Sequence, residues 1–160
     1  MEKVAKAVLR YLFHQYLKGP TVLYEINGIT NQYKADPIVV SNYLSEKNLI
    51  REAWIHQNNV VTCKITVQGI EEINPSFIRE KIKYMMDGLM EANGRKSLME
   101  IFQHRIEEYS IALDMIYQLE KLALVTIIHN QGSIDIELTA SGWRYAEQQG
   151  KSLLALMAVA

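Results

Sequence analysis

The sequence predicts an α+β chain, mostly helical, made of two similar units joined end to end, residues 1–74 and 75–160. Three observations predict it. The same residues recur in the same order in both halves. Each half switches once from helical to extended periodicity. Asn74-Pro75 divides the halves, because proline disfavours a helical conformation in the residue before it.

The repeat emerges when Gly19-Pro-Thr-Val-Leu23-Tyr-Glu25-Ile26 is placed over Gly94-Arg-Lys-Ser-Leu98-Met-Glu100-Ile101, where Gly, Leu, Glu and Ile coincide. At the same offset Leu44 meets Leu119, Leu49 meets Leu124 and Ile50 meets Val125. The offset shortens between Ile50 and Ile55, in a connection where small deletions are tolerated. Beyond it Ile55-His56 matches Ile128-His129, Ile65-Thr66 matches Leu138-Thr139, and Gly69 matches Gly142.

In the first unit Val4, Val8, Tyr11, Leu12 and Tyr16 share one face of a helix over residues 3–17, which Gly19-Pro20 ends. Thr21 is expected to cap a second helix running to about Thr30 and buried by Leu23 and Ile26. Asp36-Pro37 pairs a good N-cap with a proline at the helical position whose N–H needs no partner. The third helix then runs to about Lys47, with Val40, Tyr43 and Leu44 inward. Trp54–Gln57 and Val60–Ile65 read as strands flanking Asn58-Asn59, since asparagine tolerates the positive φ of a tight hairpin. Thr66 caps a closing helix. The second unit repeats the order. Ser76 caps a helix over 78–90, Ser97 starts one to about Gln103, and Ser110–Lys121 form the third. Thr126–Leu138 make the hairpin, turning at Asn130-Gln131-Gly132, and Thr139 caps the last helix. Three helices with a hairpin behind the third is the winged helix-turn-helix arrangement.

Charge lowers the expectation of strong nonspecific binding to nucleic acid. With 17 basic and 18 acidic residues the net charge is −1, and the halves carry 8 against 7 and 9 against 11. Phosphate neutralisation supplies most nonspecific affinity, and neither half is basic as a whole. The lone Cys63 excludes an internal disulfide and suits a reducing cytosol. The start of the chain has no signal-peptide layout. The longest apolar run, Leu153–Ala160, is far short of the roughly 20 residues that span a bilayer. The expectation is a cytoplasmic chain with no membrane span.

Tyr43-Leu-Ser-Glu-Lys-Asn-Leu-Ile50 with Ile65-Thr-Val-Gln-Gly69, and Leu119-Glu-Lys-Leu-Ala-Leu-Val125 with Leu138-Thr-Ala-Ser-Gly142, resemble bacterial winged-helix transcriptional regulators. In that superfamily a third helix ending Leu-Glu-Lys-x-x-Leu-Val precedes a wing and a Leu-Thr-x-x-Gly helix start. A glycine usually precedes the Leu-Ile or Leu-Val pair, where this chain has Asn48 and Ala123. Asparagine accepts a left-handed backbone and alanine does not.

The resemblance implies a transcription regulator in which the third helix enters the major groove of duplex DNA and the wing touches its backbone. Carried onto this chain, the contacts fall on Gln32, Tyr33, Lys34, Ser41, Asn42 and Ser45, with Gln57, Asn58, Asn59 and Lys64 on the wing. Asparagine suits adenine edges, while serine and lysine suit phosphates. The second reading helix presents Asp114, Tyr117 and Gln118 after Glu107 and Glu108, leaving Arg95, Lys96 and Arg105 as that unit's candidates beside His104. The fold also implies an alternative, a protein–protein assembly module without DNA contact, as in segregation and condensation protein B. A third reading is a regulator holding an effector between the units.

Catalysis is not expected. There is no nucleophile elbow and no glycine-rich phosphate loop, so the sequence predicts no enzyme and no cofactor. His56 and His129 are equivalent by repetition and His14 lacks a ligand-spaced partner, so no metal is expected. Cys63 lies at inward parity, and Met85, Met86, Met90, Met99 and Met115 fall mostly at core positions. From Ala140 an extended helix could reach the end of the chain, through Trp143, Leu153, Leu154, Leu156 and Met157. These could fold back on a monomer, but the preferred expectation is a homodimer paired through them.

Overall fold

A computed structural model describes residues 1–19, 22–102 and 109–148. Among these the chain is α+β, with eight α-helices and two three-stranded antiparallel sheets. It divides into two compact units, Met1–Pro75 and Ser76–Ala160.

Unit 1 runs α1 (Glu2–Lys18), β1 (Tyr24–Glu25), α2 (Asn27–Gln32), α3 (Pro37–Glu46), β2 (Ile50–Ile55), β3 (Val61–Ile65) and α4 (Val67–Ile73). Unit 2 runs α5 (Pro75–Glu91), β4 (Arg95–Ser97), α6 (Leu98–Ile101), α7 (Tyr109–Lys121), β5 (Val125–Asn130), β6 (Ser133–Leu138) and α8 (Ala140–Glu147). The sheet orders are β1-β3-β2 and β4-β6-β5, so the same topology occurs twice.

Several local expectations change, among them the first hairpin strand, which runs Ile50–Ile55 and not Trp54–Gln57. Residues 23–25 do not belong to the second helix. Tyr24 and Glu25 pair with Cys63 and Thr62 as a third strand, and α2 begins only at Asn27. The expected cap at Thr21 lies outside the described residues. In unit 2 Arg95–Ser97 likewise form a strand on β6, and Ser97 caps α6, its hydroxyl accepting from the Glu100 N–H at 3.2 Å. Strands of two or three residues leave no alternation to read, so only their pairing reveals them. Ser76 is not a cap, because α5 starts at Pro75, whose missing N–H costs nothing in a first turn.

Each core lies between the sheet and the long helices. α1 buries Ala5, Val8, Leu9, Leu12 and Tyr16, and α5 buries Ile78, Ile82, Met85, Met86 and Leu89. Cys63 is fully buried in β3, and burial pushes its thiol pKa up to about 12, so it stays protonated and inert.

One brace recurs in both units. α3 ends in a left-handed turn at Asn48 (φ 58°), where the Asn48 N–H reaches the Ser45 carbonyl and the Leu49 N–H reaches that of Leu44. α7 ends alike at Ala123 (φ 59°), with Ala123 N–H on Glu120 and Leu124 N–H on Leu119. This double bond pattern satisfies the last carbonyls of a helix. The threonine after the hairpin then returns to that turn. Thr66 donates its hydroxyl to the Asn48 carbonyl at 2.7 Å and its N–H to that of Leu49 at 3.1 Å. Thr139 does the same to Ala123 and Leu124, at 2.5 and 3.1 Å. Each hydroxyl also accepts from a glycine N–H, Gly69 or Gly142, at 3.0 Å. A Cβ on Gly69 would stand 2.2 Å from the Leu49 carbonyl oxygen, and one on Gly142 1.9 Å from that of Leu124. The Thr-x-x-Gly spacing is thus a close backbone approach closed by a capping hydroxyl.

Ala123 holds its left-handed turn against its own Cβ, at a cost of roughly 1–2 kcal/mol. Ala123→Gly is therefore expected to stabilise unit 2 by about 1 kcal/mol, after the entropy that glycine adds to the unfolded chain. Asn48→Gly should change unit 1 far less. Urea unfolding checks both, and an unchanged or lowered midpoint for Ala123→Gly would refute the strain.

Candidate macromolecular interface

The candidate surface in unit 1 is built by α3 and the β2–β3 hairpin. Asp36 starts α3 by accepting the Ile38 N–H at 2.9 Å, with Pro37 at the first helical position. Val40 and Leu44 bury fully and fix the helix phase, which leaves Val39, Asn42, Glu46 and Lys47 exposed. Ser41 is a correction. It is 2% exposed and donates its hydroxyl to the Ile38 carbonyl at 2.9 Å, so it offers nothing to a ligand. Asn42 is exposed, Ser45 is half-buried, and Tyr43 is half-buried where it was expected inward. The Tyr43 hydroxyl bonds the Lys47 ammonium at 2.8 Å and raises the lysine's pKa.

Gln32, Tyr33 and Lys34 form an exposed turn in which Lys34 is left-handed (φ 53°). At the hairpin tip Gln57, Asn58 and Asn59 are exposed, and both asparagines take positive φ, 62° and 59°. The Asn27 side chain fastens this tip to α2. Its amide donates to the Asn59 carbonyl at 3.0 Å and its oxygen accepts the Val61 N–H at 2.9 Å.

Two of the five cations proposed from sequence, Lys64 and Arg95, are engaged by neighbouring carboxylates. Lys64 pairs with Glu52 at 3.1 Å and has only 19% of its side chain exposed. Arg95 pairs with Asp135 at 3.1 Å and reaches Glu137 at 4.0 Å, both on the adjacent strand β6. Lys34 is exposed and Lys96 half-buried, neither in an ion pair among the described residues. Arg105 lies outside the described residues, as do Leu153, Leu154, Leu156 and Met157. Trp143 is half-buried and lies beside Gly94 of its own unit.

Sequence reading missed Trp54 and Ile55. They are 60% and 56% exposed on β2, an edge strand of its sheet. Register slips between Arg51 and Trp54, where Glu52 takes φ 53°, and beyond this bulge every β2 residue is exposed. A bulge bends its strand and re-aims the side chains beyond it. The corresponding hairpin of unit 2 pairs continuously from Val125↔Leu138 to Asn130↔Ser133, and its Ile127 and Ile128 are half-buried. One sequence signal was available, since neighbouring strand residues point to opposite faces and Trp54 and Ile55 cannot both face one core.

Compared with known protein families and with curated proteins, the chain matches none. No described helix is long and apolar enough to cross a membrane.

Proposed function

We propose that this chain is a tandem winged-helix recognition module, cytoplasmic and without covalent chemistry, whose unit 1 anchors a protein partner through the β2–β3 hairpin. The observation that carries this reading is the bulged edge strand holding Trp54 and Ile55 in solvent. Aromatic side chains dominate protein-interface energetics, and interface cores exclude charge. A base-reading role for the same face draws less support. Ser41 is buried, Lys64 is neutralised by Glu52, and α3 carries no arginine.

A photoreactive residue at position 55, introduced in cells, should give a discrete protein adduct that the same residue at position 128 does not. With the captured partner purified, Trp54→Ala is expected to weaken its binding about 30-fold or more, as for an aromatic hot spot. Adducts to nucleic acid alone, equal capture from both positions, or unchanged affinity of the Trp54→Ala variant would each reject the reading.

A further inference from the structure

Helix α1 carries a cationic ridge that the hairpin reading does not use. Lys3, Lys6, Arg10 and Lys18 are all exposed, and their spacing lines them along the helix opposite the buried face of Ala5, Val8, Leu9, Leu12 and Tyr16. The row is about 22 Å long at 1.5 Å per residue. Among the described residues none of these four cations is in an ion pair. Glu2 is the only carboxylate on the helix. Among the described residues it is in no ion pair with the row.

The ridge is not a requirement of the fold. Aligning α5 with α1 by buried positions sets Ile78, Ile82, Met85 and Leu89 against Ala5, Leu9, Leu12 and Tyr16. The matching exposed positions are then Ser76, Arg79, Lys83, Asp87 and Glu91, against Lys3, Lys6, Arg10, His14 and Lys18. Unit 2 mixes charge on this face and ends it in two acids, whereas unit 1 keeps it free of acid throughout.

We infer that α1 docks unit 1 on the phosphate backbone of duplex nucleic acid, without reading sequence and independently of the hairpin. Charge complementarity selects the occupant. A duplex carries one negative charge per about 1.7 Å of its axis, so a row of this length spans about 13 phosphates. A narrow convex ridge fits a groove edge. An anionic bilayer fits less well, because amphipathic helices hold membranes by inserting an apolar face, and the apolar face of α1 is committed to the core.

The full chain is titrated into a fluorescein-labelled 20-base-pair duplex of random sequence, by anisotropy, between 25 and 200 mM NaCl. Binding is expected to weaken with a log–log salt slope of about −3.6, the value for four phosphate contacts. The variant K3Q/K6Q/R10Q/K18Q should lose most of that slope and, at 50 mM salt, more than about 100-fold in affinity. Glutamine is a good helix former, and far-UV circular dichroism verifies that α1 is retained. Asn42→Ala and Trp54→Ala should leave the slope unchanged, which separates this surface from the α3 face and from the hairpin. No binding by the wild type at 50 μM protein in 25 mM salt overturns the inference. So does an unchanged slope in the four-fold variant. Binding to vesicles containing 30% phosphatidylserine, lost in that variant while duplex binding is absent, would transfer the ridge to membranes and overturn it equally.

Discussion

Gly142→Ala is expected to unfold unit 2 at ordinary temperature or to cost at least about 3 kcal/mol of its stability, well above the usual effect of one methyl group. The new Cβ would stand 1.9 Å from the Leu124 carbonyl oxygen. That oxygen cannot retreat freely, because it accepts the Thr139 N–H at 3.1 Å and belongs to the left-handed turn that closes α7. Gly69→Ala should do the same to unit 1, with its Cβ 2.2 Å from the Leu49 oxygen. Gly88→Ala is the control. It lies within α5 with its nearest outside neighbour at 3.8 Å, and alanine is the better helix former. Urea unfolding followed by circular dichroism decides the matter, and a loss below about 1 kcal/mol for either brace glycine would contradict the close approach.

Gly94→Ala should destabilise unit 2 by about 2–4 kcal/mol, for two separable reasons. Gly94 holds φ +92°, a conformation that L side chains rarely adopt, and its Cβ would press on Trp143 Cζ2 at 2.7 Å. The backbone here is pinned on both sides, since the Gly94 N–H donates to Leu89 and its carbonyl accepts from Leu138, each at 2.7 Å. Trp143 reports the displacement directly. The chain has two tryptophans, so a Trp54→Phe background isolates its emission, which should shift to longer wavelength in Gly94→Ala as the indole meets water. An unshifted spectrum with unchanged stability would show that Trp143 does not rest on this glycine.

Features with local physical causes were legible in the sequence. Asp36-Pro37 starts α3, Thr66 and Thr139 cap the helices behind the hairpins, and Asn58-Asn59 turn the first hairpin, each because a few adjacent atoms decide the conformation. The strands at Tyr24–Glu25 and Arg95–Ser97 were illegible, because partners far along the chain define them. Ala123 shows tertiary context overriding preference, with the Thr139 brace holding a left-handed alanine. The site was harder to read than the fold. Polarity suggested that Ser41 faces outward, yet a helical serine can satisfy its hydroxyl on the preceding turn and bury at little cost. Counting charge by halves averaged away the row on α1, which appears only when exposure is laid over helical spacing.

The Asn27 amide ties the tip of the first hairpin to α2, while Thr66 ties its base to the end of α3. Held at both ends, the hairpin has little conformational freedom left to surrender when it meets a partner. Complex formation through it would then have the thermodynamics of rigid docking, with a negative heat-capacity change from Trp54 and Ile55 leaving water and no added term for folding on contact.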